Sequence, residues 1–350
     1  MVDQSSRPAS AAAPLSNPVS ATPRAAPGLP VDPLWPRAGG WAAPRVGEAV
    51  DVVVVGVPTS RTSISATNAH ETPAAIRQAL RRYSDHAVQP GTVSTRGDET
   101  QLELNQALSI RDAGDLADPD SLDGERAATA AIAALARASR LVLALGGDNS
   151  LTVPAARGVL GAHLAATELA GGGIGAGGLI TLDAHHDLRD GRSNGSPVRR
   201  LVEAGLDPSR IVQIGIADFA NSRAYRDRAR DLGIRVIHRD ELFDRPLGEI
   251  VAEALAIAGA GDGPIHVDLD VDVCDRSVVP ACPAAVPGGI SAAELRRITR
   301  LLARDSRVAS FDLAEIDATA DSTDGRTVRL AALLVLEAMT GLAERGVSAT

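Results

Sequence analysis

Apolar and polar positions follow two different patterns along this chain. From residue 51 onward, short runs rich in β-branched residues are separated by longer stretches in which alanine, leucine and arginine recur at helical spacing. The short runs predict buried strands and the longer stretches predict helices. The strands are predicted near 51–57, 141–145, 179–183, 211–216, 234–238, 264–271 and 308–313. The helices are predicted near 73–83, 124–139, 152–160, 197–205, 222–232, 247–258, 291–304 and 327–344. This alternation is typical of an α/β fold with a doubly wound parallel sheet.

Residues 1–45 have a different composition, rich in proline, alanine and serine. Prolines at short intervals interrupt both helices and strands, so this segment is predicted to be disordered. Trp35 and Trp41 stand near its end and are candidates to anchor it against the rest of the chain. Residues 46–350 are predicted to form one α/β domain.

Charge and cysteine content argue against several classes of function. Lysine and arginine number 35 against 44 acidic residues, and the net charge of −9 offers no basic surface to nucleic acid or anionic lipid. No apolar run approaches the roughly 20 residues of a membrane span. The two cysteines indicate no disulfide framework, so a cytoplasmic location is expected. The glycines of 171–178 precede a strand instead of following one, which argues against a dinucleotide loop and a dehydrogenase.

Acidic residues cluster where two of the predicted strands end. Residues 183–187 read DAHHD, and residues 268–272 read DLDVD. In a doubly wound sheet such strand ends meet at one edge, where ligands bind. Carboxylates crowded there must take up protons or bind a cation. A solvated edge strand or a capped loop would also carry such residues, but the residues around 268–272 are too apolar for a solvated edge.

The ligand types at these strand ends indicate manganese. Asp183, Asp187, Asp270 and Asp272 carry four negative charges, which two divalent ions would neutralise, and His185 adds a nitrogen ligand. Oxygen-rich ligation with one imidazole favours Mn²⁺ over zinc, which more often recruits thiolates or several imidazoles.

Several segments, taken in order, resemble the ureohydrolase family of arginases, agmatinases and formimidoylglutamases. They are GVP at 56–58, HETPAAIR at 70–77, GGD at 146–148, DAHHD at 183–187, DVDVCD at 270–275, and Glu315. The resemblance implies a three-layer α/β/α arginase-like fold with a parallel sheet of about eight strands, and a catalytic domain over 46–350. It also implies that Asp183 and Asp270 bridge two Mn²⁺ ions, that Asp187 completes one site, and that His185 and Asp272 complete the other.

Two asparagines stand where the family usually has histidines. Asn149 would ligate the first metal through its amide oxygen, a weaker donor than imidazole, so that site is expected to be weak. Asn194 is interpreted as a substrate-binding residue, because an amide cannot transfer a proton at neutral pH. The proton route to the leaving amine therefore stays open among Asp187, His186 and water. The same departures also fit a catalytically silent metal-binding homologue.

Arginines after the metal segment predict an anionic substrate. Arg189 and Arg192 are interpreted as substrate-binding residues, because guanidinium groups bind carboxylates through two parallel hydrogen bonds. Arg199 and Arg200 fit either this role or a solvated helix face. The ammonium of agmatine would be repelled by such a loop, whereas the two carboxylates of N-formimidoyl-L-glutamate would be attracted.

The resemblance is strongest to the formimidoylglutamase branch of the family. It implies hydrolysis of N-formimidoyl-L-glutamate to L-glutamate and formamide, a step of histidine degradation, by metal-activated hydroxide. Asp187 would orient that hydroxide, and Glu315 would bind the amidinium of the substrate. The alternatives are another amidine or guanidine hydrolase, acting on agmatine, a guanidino acid or hydroxyarginine, or the silent homologue. Family likeness also implies a homotrimer or homohexamer.

Overall fold

The structure is a computed structural model, and it describes residues 32–88, 101–166 and 173–345. It contains strands of two sheets. In chain order they are β1 (Val50–Val57), β2 (His86–Val88), β3 (Gln101–Glu103), β4 (Ile110–Asp115), β5 (Ser139–Gly146), β6 (Gly178–Leu182), β7 (Ile211–Ile216), β8 (Arg235–His238), β9 (Ile265–Asp270) and β10 (Val308–Ala314). Eight of them form one sheet in the order β4-β1-β5-β10-β9-β6-β7-β8, and every neighbouring pair is parallel. Strands β2 and β3 form a separate antiparallel pair.

Helices cover both faces of the large sheet. They are α1 (Thr72–Leu80), α2 (Leu104–Ala107), α3 (Leu122–Arg137), α4 (Thr152–Ala166), α5 (Pro197–Glu203), α6 (Arg223–Leu232), α7 (Glu241–Asp244), α8 (Leu247–Ala258), α9 (Ala292–Ala303) and α10 (Arg326–Ala343). Helices α3 to α6 pack on one face, and α1, α8, α9 and α10 pack on the other. This arrangement confirms the predicted three-layer α/β/α fold.

The predicted strands all fall on strands of the sheet, but one strand of the sheet was not predicted. Strand β4, at the edge beside β1, reads IRDAGD and is only partly buried. Its polar residues do not form the apolar run by which a central parallel strand is recognised. Two of them have a structural role instead, because Arg77 of α1 forms ion pairs with Asp112 and Asp115.

The N-terminal segment is described only from residue 32. Residues 1–31 lie outside the described residues, so the disorder predicted for 1–45 stays a prediction. Near the end of this segment, the N–H of the buried Ala38 donates to the carbonyl of Tyr83 at 2.9 Å. Trp41 Nε1 donates to Asn105 Oδ1 at 2.9 Å, so this tryptophan anchors the segment to the domain. Trp35, the other candidate anchor, is half exposed.

The sheet order brings four polar loops together. Strands β5, β10, β9 and β6 are consecutive neighbours at the centre of the sheet, and all four point the same way. The loops that follow them therefore meet at one edge, where parallel sheets bind ligands. Within the described residues, none of the helices combines the length and the apolar character needed to cross a bilayer.

Candidate metal centre

The loops after β6 and β9 each begin with an aspartate that shapes its own turn. Asp183 follows β6 directly, and its Oδ1 accepts a hydrogen bond from the N–H of His185 at 2.6 Å. Asp270 ends β9, and its Oδ1 accepts from the N–H of Asp272 at 2.9 Å. Side-chain bonds of this kind to the backbone two residues on are typical of aspartate in turns. They hold the carboxylates at the strand ends instead of releasing them to solvent.

The two loops contact each other through Asp272. Its Oδ1 accepts from the N–H of Ala184 at 2.8 Å, and its Oδ2 lies 2.7 Å from His185 Nδ1. The same ring nitrogen lies 3.5 Å from Asp183 Oδ1. Asp183 and Asp272 are almost completely buried, and the side chain of His185 is 27% exposed. The structure thus brings together residues that lie about ninety positions apart in the sequence.

Burial and mutual repulsion change the acidity of these groups. Burial and the neighbouring Asp272 raise the pKa of Asp183 to about 7. Burial, and then the nearby carboxylates, raise the pKa of Asp187 and of Asp270 well above the ordinary value. Burial opposes the charged form of His185, but Asp272 and Asp183 outweigh it and raise the pKa of His185 to about 12. Without a cation, the centre therefore retains protons at neutral pH.

The arrangement of donor atoms fits a divalent cation. Ligand atoms of Asp183, His185 and Asp272 lie within 4.8 Å of one another, and so do those of Asp270, Asp272 and Cys282. Asp272 Oδ2 is buried and lies 2.7 Å from His185 Nδ1, with no other described donor aligned to it. Both atoms are candidate ligands, so a cation that displaces the imidazole proton would be held between them. Of the five predicted acidic and imidazole ligands, four belong to these groups.

Asp187, the fifth of these ligands, lines the same cavity but belongs to neither group of ligand atoms. Its Oδ2 accepts a hydrogen bond from Asn149 Nδ2 at 2.5 Å. The amide oxygen of Asn149 accepts from Thr152 Oγ1 at 2.6 Å. Asn149 therefore presents a donor, not an oxygen ligand, to the centre. In this orientation the amide oxygen accepts from Thr152 on helix α4, and the prediction that Asn149 ligates a metal stays a prediction.

Glu315 and Asn194 lie together at the mouth of the centre. Glu315 Oε1 accepts hydrogen bonds from the N–H of Asn149 and from Asn194 Nδ2, each at 2.8 Å. Asn194 Oδ1 accepts in turn from the N–H of Ile64 at 3.0 Å. Burial raises the pKa of Glu315 to about 7 despite these bonds. No described residue donates to Glu315 Oε2, which is left to contact a ligand.

A cavity of about 620 Å³ opens above these groups. Its floor includes residues of the metal centre and Glu315, and its wall is formed by the loops after β1, β6 and β7. The residues of the floor are His185, Asp187, Asp270, Asp272 and Glu315. A cavity of this size accommodates a small amino-acid derivative.

Two arginines and a tyrosine stand on the wall of the cavity. The guanidinium groups of Arg189 and Arg228 lie 6.0 and 5.7 Å from the centre of the Tyr225 ring. Arg228 also donates to Asp190 Oδ1 at 2.9 Å. The sequence did not single out Arg228 or Tyr225, because helix α6 reads as a charged, solvated helix. No sequence signal distinguishes Arg228 from the other arginines of that helix.

Arg192, predicted to bind substrate, forms an ion pair with a buried carboxylate. Its Nη2 lies 3.0 Å from Glu125 Oε2, and it does not line the cavity. Arg200 approaches the other oxygen of the same buried carboxylate at 2.6 Å. Arg199 donates to the carbonyl of Arg189 at 2.6 Å. The substrate-binding role predicted for Arg192 stays a prediction, and the partner of its guanidinium lies on α3, too far along the sequence for local spacing to reveal it.

Asp268, the first carboxylate of the 268–272 segment, lies below the centre. It pairs in register with Asp312 on the neighbouring strand β10. Burial, and then Asp312, raise the pKa of Asp268 well above its ordinary value. Asp312 Oδ2 also lies 3.0 Å from Nε2 of the buried His266. These residues form a polar layer inside the sheet, so not every acidic position of the segment belongs to the metal centre.

Comparisons with known proteins agree with this fold. The arginase family model matches residues 50–341. A formimidoylglutamase of Halalkalibacterium halodurans is 33% identical over 315 residues, which are 87% of this chain and 92% of the relative. A guanidinopropionase of Pseudomonas aeruginosa is 29% identical over 85% of this chain and 88% of the relative. The crystal structure of formimidoylglutamase from Bacillus subtilis has a TM-score of 0.76 and 29% identity, covering 92% of this chain and 97% of that chain. The chain belongs to the arginase family.

Proposed function

We propose that this chain hydrolyses N-formimidoyl-L-glutamate to L-glutamate and formamide and uses two Mn²⁺ ions. The observation that carries the proposal is the position of the acidic cluster, which forms the floor of a cavity whose wall holds Arg189 and Arg228. Such a site combines a place for a cation with positive charge for an anionic substrate. Relatives named formimidoylglutamase, similar over most of the chain, support the same substrate.

The residues that would hold the ions are the carboxylates and the imidazole at the strand ends, namely Asp183, His185, Asp187, Asp270 and Asp272. Their oxygen-rich donor set suits Mn²⁺. When bound, manganese would supply a water of lowered pKa as the nucleophile. Asp187 lines the cavity and accepts a hydrogen bond from Asn149, and it would orient that water and receive its proton.

Glu315 would bind the formimidoyl group. Its Oε1 accepts hydrogen bonds from Asn149 and Asn194, its Oε2 has no donor among the described residues, and the residue lines the cavity. An amidinium donates two N–H groups, and a carboxylate accepts such bonds strongly because both partners are charged. Asn194 fixes Glu315 and cannot act as a proton shuttle, since a side-chain amide does not ionise at neutral pH.

The arginines of the wall select the far end of the substrate. Arg189 is exposed, and it lines the cavity together with Tyr225 and Arg228. Two positive groups on the wall and carboxylates on the floor of one cavity suit a substrate that is cationic at one end and anionic at the other. N-formimidoyl-L-glutamate has this polarity, whereas agmatine carries positive charge at both ends.

Turnover by the purified, manganese-loaded chain tests this proposal. Formimidoylglutamate, agmatine, arginine, hydroxyarginine and 3-guanidinopropionate are compared at equal concentration, and formamide and urea are measured as products. Formamide from formimidoylglutamate is the expected result. Urea from 3-guanidinopropionate as the main product would move the assignment to a guanidino acid, as in the Pseudomonas relative. No turnover of any member, with manganese bound, would identify a silent homologue.

We also propose that the chain forms a homotrimer or homohexamer in the cytoplasm. Membership of the arginase family supports the assembly, and two free cysteines agree with a reducing compartment. Light scattering after size-exclusion chromatography measures the assembly, and a monomer at micromolar concentration would reject it.

A further inference from the structure

Cys282 lies inside the metal centre, although no hard-cation site requires a sulfur atom. Its side chain is completely buried in the loop between β9 and α9. Its Sγ and one oxygen each of Asp270 and Asp272 lie within 4.8 Å of one another. Three donor atoms so close together, one of them sulfur, form the kind of mixed set that binds borderline and soft divalent ions.

The loop that carries Cys282 is firmly held. Arg276 Nη1 donates to the carbonyls of Cys282 at 2.8 Å, Pro283 at 3.1 Å and Ala285 at 3.3 Å. The N–H of Cys282 donates to the carbonyl of Val279 at 3.1 Å. A thiol fixed by its backbone on both sides does not lose much conformational freedom when its sulfur binds an ion.

The carboxylate beside this sulfur is itself buried. Asp272 Oδ2 has no aligned hydrogen-bond donor among the described residues, although His185 Nδ1 lies 2.7 Å from it. Burial and the charges of Asp272 and Glu315 raise the pKa of the Cys282 thiol well above its ordinary value, so the thiol is protonated in the absence of a cation.

We propose that the centre also accepts a thiophilic divalent ion, such as Zn²⁺, Co²⁺ or Cd²⁺, with the Cys282 sulfur as a ligand beside Asp270 and Asp272. The proposal rests on the metal centre of the proposed function and extends its range of metals. On binding, the sulfur–metal bond forms and the thiol proton passes to solvent. Mn²⁺, which prefers oxygen, leaves the thiol protonated.

Cobalt spectroscopy on the full-length, metal-stripped protein tests this inference. Titration with CoCl₂, without substrate, is expected to produce a thiolate-to-cobalt charge-transfer band in the near ultraviolet. The Cys282→Ser variant is expected to lose the band and to bind Cd²⁺ at least about tenfold more weakly, since even changes outside the ligand shell cost that much. Its affinity for Mn²⁺ is expected to change by less than about threefold.

Cys274→Ser is the matched control. Cys274 is also buried and follows Asp272 by two positions, but it belongs to neither group of ligand atoms. This variant is expected to keep the band. Two results would overturn the proposal. One is cobalt bound by the wild-type protein without the charge-transfer band, a result that does not depend on whether Cys282→Ser folds. The other is a band that persists in Cys282→Ser. The titration contains no substrate, so it measures metal binding even if the chain does not hydrolyse formimidoylglutamate.

Discussion

At the scale of single residues, two of the carboxylates that line the cavity have a strained backbone. Asp187 and Glu315 have φ angles of 52° and 62°, in the left-handed region that residues other than glycine rarely adopt. Both are held there by backbone bonds, from the N–H of Arg199 to the Asp187 carbonyl and from the N–H of Glu315 to the Gly147 carbonyl. Conformations of this kind cost of order 1 to 3 kcal/mol and persist where surrounding contacts fix them. Here they direct two carboxylates into one cavity.

Arg228 is expected to bind the anionic end of the substrate. Replacing it by alanine removes a charged hydrogen-bond donor, so KM should rise about tenfold while kcat changes little. Steady-state kinetics with formimidoylglutamate measures both constants. Arg223→Ala is the control, because Arg223 lies on the same helix but its side chain is 92% exposed and does not line the cavity. An unchanged KM in Arg228→Ala would remove this residue from the binding site.

Substitution of Asn149 is expected to change the affinity of the centre for Mn²⁺. Asn149→His replaces an amide that donates to Asp187 by an imidazole nitrogen, a better metal ligand. Mn²⁺ affinity, measured by calorimetry on the metal-stripped protein, should increase by about tenfold, or about 1.4 kcal/mol. Asn149→Ala removes the amide without adding a ligand and should not tighten binding. Equal affinities in wild type and Asn149→His would show that this side chain does not reach an ion.

Residues differ in how far their roles follow from the sequence. Asp183, His185, Asp270 and Asp272 come together as expected, because they sit at the carboxyl ends of buried parallel strands. The direction of a side chain in a loop depends instead on distant partners, such as the carboxylate that binds Arg192. Only tertiary structure supplies those partners.

At the scale of elements, helix α3 is tied to the loop that follows the metal segment. Glu125 on α3 is buried and binds both Arg192 and Arg200. Glu125→Ala leaves two buried or half-buried guanidinium groups without this partner, so the free energy of unfolding should fall by about 3 kcal/mol. Urea denaturation measures the change. Glu203→Ala is the control, since its ion pair with Arg199 involves a side chain that is 61% exposed. If the free energy of unfolding of Glu125→Ala fell by less than about 0.5 kcal/mol, the ion pairs of Glu125 would contribute no more than solvent-exposed pairs do.

Helices α9 and α10 are joined by an ion pair that responds to pH. Burial raises the pKa of Glu344, but hydrogen bonds from Arg300 and Arg304 outweigh it and hold the pKa below the ordinary 4.5. A depressed pKa stabilises the fold above the unfolded-state value, and that contribution is lost as pH falls through the folded-state value. Glu344→Gln should therefore lower the free energy of unfolding by up to about 1 kcal/mol at neutral pH.

The pH series is the check on this assignment. Unfolding of wild type and Glu344→Gln is followed from neutral pH into the acidic range, and the difference should shrink as pH falls below 4.5 toward the lowered folded-state pKa of Glu344. A difference that stays constant over this range would show that the substitution acts through packing and not through charge.

Strands could be predicted from the sequence where burial on both faces requires a run of apolar residues. Strand β9, with residues IHVDLD, and strand β5 were predicted because every central parallel strand is covered on both faces. Strand β4 was not, because an edge strand has one neighbour and carries polar residues that pair with α1. A run of apolar residues predicts a strand that is buried on both faces, so it does not identify a strand that is only half buried.

At the scale of the whole molecule, the order of the sheet assembles the site. Strands β6 and β9 are neighbours although helices α5 to α8 lie between them in the chain. Folding therefore gathers Asp183, Asp187, Asp270 and Asp272 at one edge before any substrate binds. Such acids repel each other in a buried place unless protons or cations compensate their charge. The stability of the entire fold is thus coupled to the metal.

Removal of metal is accordingly expected to destabilise the molecule. A ligand that binds only the folded state adds about 2.7 kcal/mol to its stability at one hundred times the dissociation constant. The melting temperature should fall after chelation and recover when Mn²⁺ is added back, as measured by calorimetry. Asp270→Asn removes one carboxylate from the cluster, so its metal-free form should be no less stable than metal-free wild type, while its gain on adding Mn²⁺ should be much smaller. If Mn²⁺ raised both melting temperatures equally, Asp270 would not be a ligand, because the ion would then bind without it.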